Sequence, residues 1–167
     1  MRQETINIYQ FEELSDEAKK NAFEWYRNGQ EIHWGDEWID SLKSFCKKFD
    51  IELCDWSYGF YEGARISTNI EYLEYGKDYT FNHETLKRMG IGDDCPFTGF
   101  CADEDLLAPI RAIKEGENPL RIDILQECLD SWLSGFNADI ESQQSDEYIA
   151  DHIIANEYEF TIDGKRY

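Results

Sequence analysis

Between Ile122 and Asp163 the chain carries eleven carboxylates and not one Lys or Arg. They are Asp123, Glu127, Asp130, Asp139, Glu141, Asp146, Glu147, Asp151, Glu157, Glu159 and Asp163. Like charges at that density repel one another as the chain compacts. A fold built from this sequence must spread them over its exterior and hold together by apolar burial. Across 167 residues the formal net charge is -20, from 36 acidic and 16 basic side chains. A disordered acidic tail is poor in aromatics, but this chain has five Trp, ten Tyr and ten Phe. The combination predicts a folded body with a one-signed exterior, in one domain over residues 1–167.

The opening Met1-Arg2-Gln3-Glu4 is polar and does not read as a secretion signal. No apolar run approaches the roughly 20 residues of a membrane span, and an anionic membrane surface would repel the chain. Cys46, Cys54, Cys95, Cys101 and Cys128 are odd in number and irregularly spaced, which reads as reduced thiols in a cytosol. Cys46 and Cys128 sit within apolar helical patterns, as core residues do.

Local pattern sets out the elements. Thr5–Tyr9 alternates as a short strand. Ser15 reads as a helix N-cap with Asp16 and Glu17 in the first turn, and Asn28-Gly29 as the stop. Trp38, Leu42, Phe45 and Phe49 form an apolar stripe on a second helix that begins near Asp36. Ile51–Tyr58 and Ala64–Tyr72 flank Gly59-Phe60-Tyr61-Glu62-Gly63 as strand, turn, strand. Tyr79–Phe81 reads as a further strand ahead of a short helix over 83–89. Most of 90–118 reads as an acidic loop, with a short helix opening at Asp103-Glu104-Asp105. Leu125, Cys128, Leu129, Trp132 and Leu133 share one helix face, and Ser145 caps a last helix. Asp163-Gly164 predicts a closing turn. The sum is an α+β fold, a small antiparallel sheet with helices packed on one face.

Catalytic signatures are absent. His33, His83 and His152 do not pair with cysteine at zinc spacing, and Cys95 and Cys101 are six apart. The sequence contains no H-E-x-x-H, Walker loop, G-x-S-x-G or G-x-G-x-x-G. Asp139 and Glu141 lack the glycine and terminal Glu of a calcium loop. The pattern therefore predicts no enzyme, no cofactor and no metal site. A metal-dependent enzyme built on Asp93, Asp94, Asp103 and Asp105 is the weakest alternative. Lys19-Lys20, Lys47-Lys48 and Lys87-Arg88 are isolated pairs, so direct nucleic-acid binding is disfavoured. Trp25, Trp34, Trp38, Trp56 and Trp132 read as core.

What remains is the carboxylate pattern. Side chains at i, i+3 and i+4 on a helix lie about 5–6 Å apart, a phosphate-like spacing that would suit a groove built for nucleic acid. Candidate partner-binding residues are Asp93, Asp94, Asp103, Glu104, Asp105, Asp123, Glu127, Asp130, Asp139, Glu141, Asp146, Glu147 and Asp151. Solvated helix faces and halophilic adaptation are the competing explanations of the acidity.

The segment Ile8–Ala22 with Trp25-Tyr26-Arg27 has the form F-x-E-L-S-x-E-A-K-x-x-A-x-x-W. Together with Trp34–Phe49, Trp56-Ser57-Tyr58-Gly59-Phe60 and the ending Ala155–Tyr167, it resembles a family of small acidic proteins encoded by phages and prophages. The likeness covers about half the chain, and the 90–118 segment lies outside it. That family has no agreed chemistry, so the resemblance carries over no catalytic residues. It implies a virus-encoded accessory protein acting in the cytoplasm of a bacterial host. Charge and resemblance together predict an inhibitor of a nucleic-acid-directed defence, anti-CRISPR or anti-restriction, that mimics nucleic acid toward a basic nucleic-acid-binding protein of the host. An antitoxin-like or regulatory protein with a basic partner is the alternative.

Overall fold

The computed structural model describes residues 7–73, 79–91 and 97–167. In chain order the elements are β1 (Tyr9–Gln10), α1 (Asp16–Gly29), α2 (Gly35–Phe49), β2 (Leu53–Gly59), β3 (Gly63–Thr68), α3 (His83–Arg88), α4 (Ala102–Arg111), α5 (Arg121–Gln143), α6 (Asp146–Ala155) and β4 (Glu159–Phe160). The fold is α+β, and its strand content is divided between two separate two-stranded antiparallel ladders. The chain forms two compact units, residues 1–33 with 141–167, and residues 34–140.

In the first unit, α1 and α6 begin as their sequences require. The Ser15 hydroxyl accepts from the Ala18 amide at 3.3 Å, and the Ser145 hydroxyl accepts from the Tyr148 amide at 3.2 Å. The apolar sides of these helices, with Ala18, Ala22, Ile149 and Ile153, join Phe11, Leu14 and Phe160 in one buried cluster. β1 pairs with β4, Tyr9 opposite Phe160. Residues 5 and 6 of the expected first strand lie outside the described residues, and among the described ones pairing begins at Tyr9. The chain end closes as Asp163-Gly164 predicts. The Thr161 amide donates to the Lys165 carbonyl at 2.9 Å, and Phe160 bridges Arg166. Gly164 has a φ of +80°, and a Cβ placed there would lie 2.0 Å from the Ala18 carbonyl oxygen. Only glycine lets this turn seat against α1.

In the second unit, the α2 stripe is buried as read: Trp38, Leu42, Phe45 and Phe49 are all enclosed. Trp38 stacks on Phe136 of α5 with centroids 5.0 Å apart, and the Trp132 indole N–H donates to the Trp38 carbonyl at 3.2 Å. Asp50 in the left-handed region ends α2. There the Phe49 carbonyl accepts from Arg121 at 2.7 Å. Arg121 stands in the first turn of α5, where a helix disfavours a cation, and serves the C-terminal end of α2, where it is favoured.

The expected hairpin forms, with Trp56 opposite Ile66, Tyr58 opposite Ala64 and an irregularity at Cys54. Asn137 of α5 anchors it by accepting from the Ala64 amide at 2.7 Å. The expected strand at Tyr79–Phe81 reduces to a single bridge between Thr80 and Leu120. Within 90–118 the short helix expected to open at Asp103-Glu104-Asp105 forms, over Ala102–Arg111. This is α4, which buries Leu106, Leu107 and Ile110, apolar positions at i, i+1 and i+4.

The seating of Gly164 gives a clean test. Gly164→Ala adds a backbone clash to the positive-φ penalty, whereas Gly116→Ala, at φ +87° with no atom within 4 Å, pays only the penalty. In denaturant titrations Gly116→Ala is expected to lose about 1 kcal/mol and Gly164→Ala clearly more. Equal losses would show that the turn does not seat on α1.

Candidate functional site

α5 sorts its side chains by face. Leu125, Cys128, Leu129, Trp132 and Phe136 are buried, while Asp123, Glu127 and Asp130 are exposed. These three recur at i, i+4 and i+7, so they line one stripe over about 10 Å of helix axis. Gln126 donates to Asp130 at 2.9 Å and holds that carboxylate on the stripe. Asp139, on the opposite side of the same helix, is half-buried and accepts from the Trp38 indole N–H at 3.2 Å. Its carboxylate is thus partly covered by the Trp38 ring rather than wholly on the expected exterior surface.

The acidic run that opens α4 also divides. Asp103 is fully buried and accepts from the Thr98 amide at 2.8 Å, the Gly99 amide at 2.9 Å and the Thr98 hydroxyl at 3.0 Å. A carboxylate with no exposed surface cannot meet a partner, so Asp103 is corrected from a partner-binding residue to the anchor of the 98–100 turn. Glu104 is exposed and ion-paired with Arg111. Asp105 is half-buried against Gly135, where an added Cβ would meet its carboxylate at 2.5 Å. Burial, and then neighbouring Glu104, raise its pKa above the usual carboxylate range. Asp93 and Asp94 lie outside the described residues.

In the first unit, Glu141, Asp146, Glu147 and Asp151 are all exposed. Asp146 pairs with Arg27, which also donates to the Gln144 carbonyl at 3.1 Å. Glu147 and Asp151 stand one turn apart on α6 and form an unpaired acidic doublet among the described residues.

Beside α6 lies a group that the sequence alone did not assemble. Buried Gln143 accepts from the His33 amide at 2.8 Å and donates to the His33 carbonyl at 3.1 Å. This clamp sets the His33 ring 2.7 Å from the Tyr148 hydroxyl, with centroids 4.8 Å from His152. Tyr148 stacks on His152 at 4.3 Å, and Tyr26 meets His152 edge-on at 6.3 Å. Burial, then the neighbouring His33, lower the pKa of His152, and Asp151 opposes them. Next to this group Trp25, Tyr26 and Tyr158 wall a cavity of about 330 Å³, with Gln30, Glu31 and His33 completing its lining. The Tyr148/His152 spacing of i, i+4 was the one local hint, and His33 and Tyr148 are 115 residues apart in the chain.

Two tryptophans expected in the core are instead on the surface. Trp34 is 61% exposed in a left-handed backbone conformation, and Trp56 is 42% exposed beneath Lys43, whose ammonium lies 5.2 Å from its ring. Cys46 and Cys128 are buried as expected, and burial pushes both thiols up to about 12. Among the described residues no three His, Cys, Asp or Glu side chains converge as a metal site, and no helix is long and apolar enough to cross a membrane. Compared with known proteins, the chain matches no family model, no curated protein and no solved structure.

Two outcomes follow from these placements. Asp103→Ala removes the buried charged acceptor of the Thr98 and Gly99 amides and the Thr98 hydroxyl, and is expected to lose about 1.5–3 kcal/mol of stability. Glu104→Gln at the exposed neighbour is expected to stay within about 1 kcal/mol. A small effect of Asp103→Ala in denaturant titration would remove its anchoring role.

The second outcome concerns pH. The folded state binds the His152 proton less tightly than the unfolded chain, whose value is near the ordinary 6.5. The stability present above that value is lost as pH falls through the lowered folded value. Melting curves of wild type and His152→Gln, compared between about pH 7 and about pH 5, are expected to show a smaller acid loss in the variant. Comparing the two chains cancels the opposing gain from protonated carboxylates. Identical pH dependence would refute the lowered value.

Proposed function

We propose that this chain is a phage-type inhibitor that places acidic surface in the basic groove of a bacterial nucleic-acid-binding protein. The target class is a nucleic-acid-directed defence effector, a restriction or guide-RNA nuclease in the host cytoplasm. The observation that carries the reading is the exposed stripe Asp123, Glu127 and Asp130 on one face of α5. Its charges are spaced about 4.5–6 Å along the helix axis, somewhat sparser than the roughly 3.4 Å per charge of a single DNA strand. The stripe is therefore a partial copy of a phosphate backbone, and further exposed acids such as Glu147 and Asp151 must share the work. The resemblance of both chain ends to phage-encoded proteins supports the same setting.

A net charge of -20 steers diffusion toward a cationic groove and repels nucleic acid itself. The carboxylates that serve this purpose are the exposed ones. Asp103 and Asp139 have structural partners and fall outside the reading.

The experiment is nuclease protection. DNA cleavage by a panel of restriction and guide-RNA nucleases is measured with and without the chain, at low and high salt. Inhibition of at least one nuclease is expected, with association slowed about tenfold or more as salt screens the charges. Reversal of Glu127, Asp130, Glu147 and Asp151 to Lys is expected to abolish inhibition with the fold retained. Inhibition indifferent to both salt and reversal would overturn the electrostatic mechanism, and no inhibition across the panel would overturn the assignment.

A further inference from the structure

The cavity beside α1 has a chemistry that the acidic stripe does not explain. Its walls are the rings of Trp25, Tyr26 and Tyr158, and Gln30, Glu31 and His33 supply polar groups. Trp25 meets Tyr158 edge-on, with centroids 5.3 Å apart and planes at 88°, so the two rings make a corner rather than a closed stack. Glu31 is exposed and has no hydrogen-bond or ion-pair partner among the described residues. A free carboxylate beside three electron-rich rings is the constellation that receives an organic cation.

The chain itself shows that these rings accept a guanidinium. Arg166 lies 4.8 Å from the Tyr158 centroid and 5.9 Å from that of Trp25. It is held there by donating to the Glu159 carbonyl at 2.9 Å and the Tyr167 carbonyl at 2.7 Å. Arg166 does not line the cavity, so the ring surfaces that do remain open. Its charge opposes an incoming cation, but Glu31 lines the cavity and supplies the opposite charge. The surrounding field agrees: residues 7–33 and 141–167 carry thirteen carboxylates against five Lys or Arg. An anionic ligand would meet that field as a barrier, and a neutral one would leave Glu31 without a partner.

We propose that this cavity seats one arginine side chain of the basic partner, its guanidinium stacked on one ring of the Trp25–Tyr158 corner with the other ring at its edge, and its N–H fork on Glu31. Arginine fits better than lysine because its planar group stacks on rings while its edge pairs with a carboxylate. The proposal rests on the reading of the chain as a binder of a basic protein. It adds a contact that fixes orientation, where the acidic stripe supplies attraction alone.

The test uses the full chain and N-acetyl-arginine methylamide at constant ionic strength, with the citrulline analogue as the neutral isostere and the lysine analogue as the non-planar cation. Two-dimensional NMR follows the Trp25 indole N–H and the Glu31 amide. Saturable shifts at both are expected with arginine, at an affinity about fivefold or more above citrulline. Glu31→Gln, an exposed position whose substitution leaves the fold intact, is expected to weaken arginine binding by a similar factor. Trp25→Ala adds the ring test, provided its spectrum stays folded. Equal binding of citrulline and arginine, or shifts spread over α5 and α6 with none at Trp25, would overturn the proposal. Either failure leaves nuclease protection standing as a separate measurement, and loss of nuclease protection does not by itself touch the arginine titration.

Discussion

The stack of Trp38 on Phe136, closed by Trp132, is the contact on which the second unit depends. It joins α2 to α5 through rings 5.0 Å and 6.0 Å apart, and all three are enclosed. Burying a large side chain contributes about 1.5–3 kcal/mol, and a favourable ring pair adds about 0.5–1.5 kcal/mol. An exposed charge pair contributes at most about 1 kcal/mol of either sign. At ordinary salt it is screened beyond about 10 Å. A few buried rings thus outweigh many scattered repulsions, provided the carboxylates stay on outer helix faces. The wealth of aromatics and the excess of acids are two sides of one solution.

That solution also explains why the acids do not act alike. A carboxylate brought inside must find donors, and Asp103 finds three in the 98–99 turn. Asp139 takes the Trp38 indole. Asp105 meets none among the described residues, and burial, then neighbouring Glu104, raise its pKa. Asp103 is closed to any partner, and Asp105 and Asp139 are half-covered. Glu104, Asp123, Glu127, Asp130, Glu141, Asp146, Glu147 and Asp151 are the sequence candidates that stand exposed. The net charge overstates the working surface, and position decides which part of it a partner can feel.

Periodicity made most of the helices legible. The stripe Trp38, Leu42, Phe45 and Phe49 and the face Leu125, Cys128, Leu129 and Trp132 are both buried, because a 3.6-residue repeat registers in the chain itself. The start of α4 was legible in its acidic first turn, Asp103-Glu104-Asp105, but its length was not, because Pro109 interrupts the apolar positions that follow. The burial of Asp103 depends on backbone amides of a turn, which no side-chain pattern encodes. Trp34 and Trp56 misled for a different reason: hydrophobic size predicts burial on average, and a left-handed cap or a hairpin strand can hold a ring outside. The His33, Tyr148 and His152 group joins segments 115 residues apart, and Gln143 holds it by hydrogen bonds to backbone. Only the folded chain displays such a contact.

Electrostatic attraction and ring packing act over different distances, and this difference gives the proposed docking its logic. A field from many carboxylates gathers basic partners quickly and sets association rate more than choice of partner. Contacts at a desolvated anchor are short-ranged and depend on shape, so they govern how long a complex lasts and in what orientation. An acidic stripe alone would accept any cationic groove of suitable width. A walled corner of Trp25 and Tyr158 with Glu31 at its edge accepts one planar cation in a limited set of poses. On the proposed reading, partner choice depends on whether the partner offers an accessible arginine to this corner, a condition stricter than being basic.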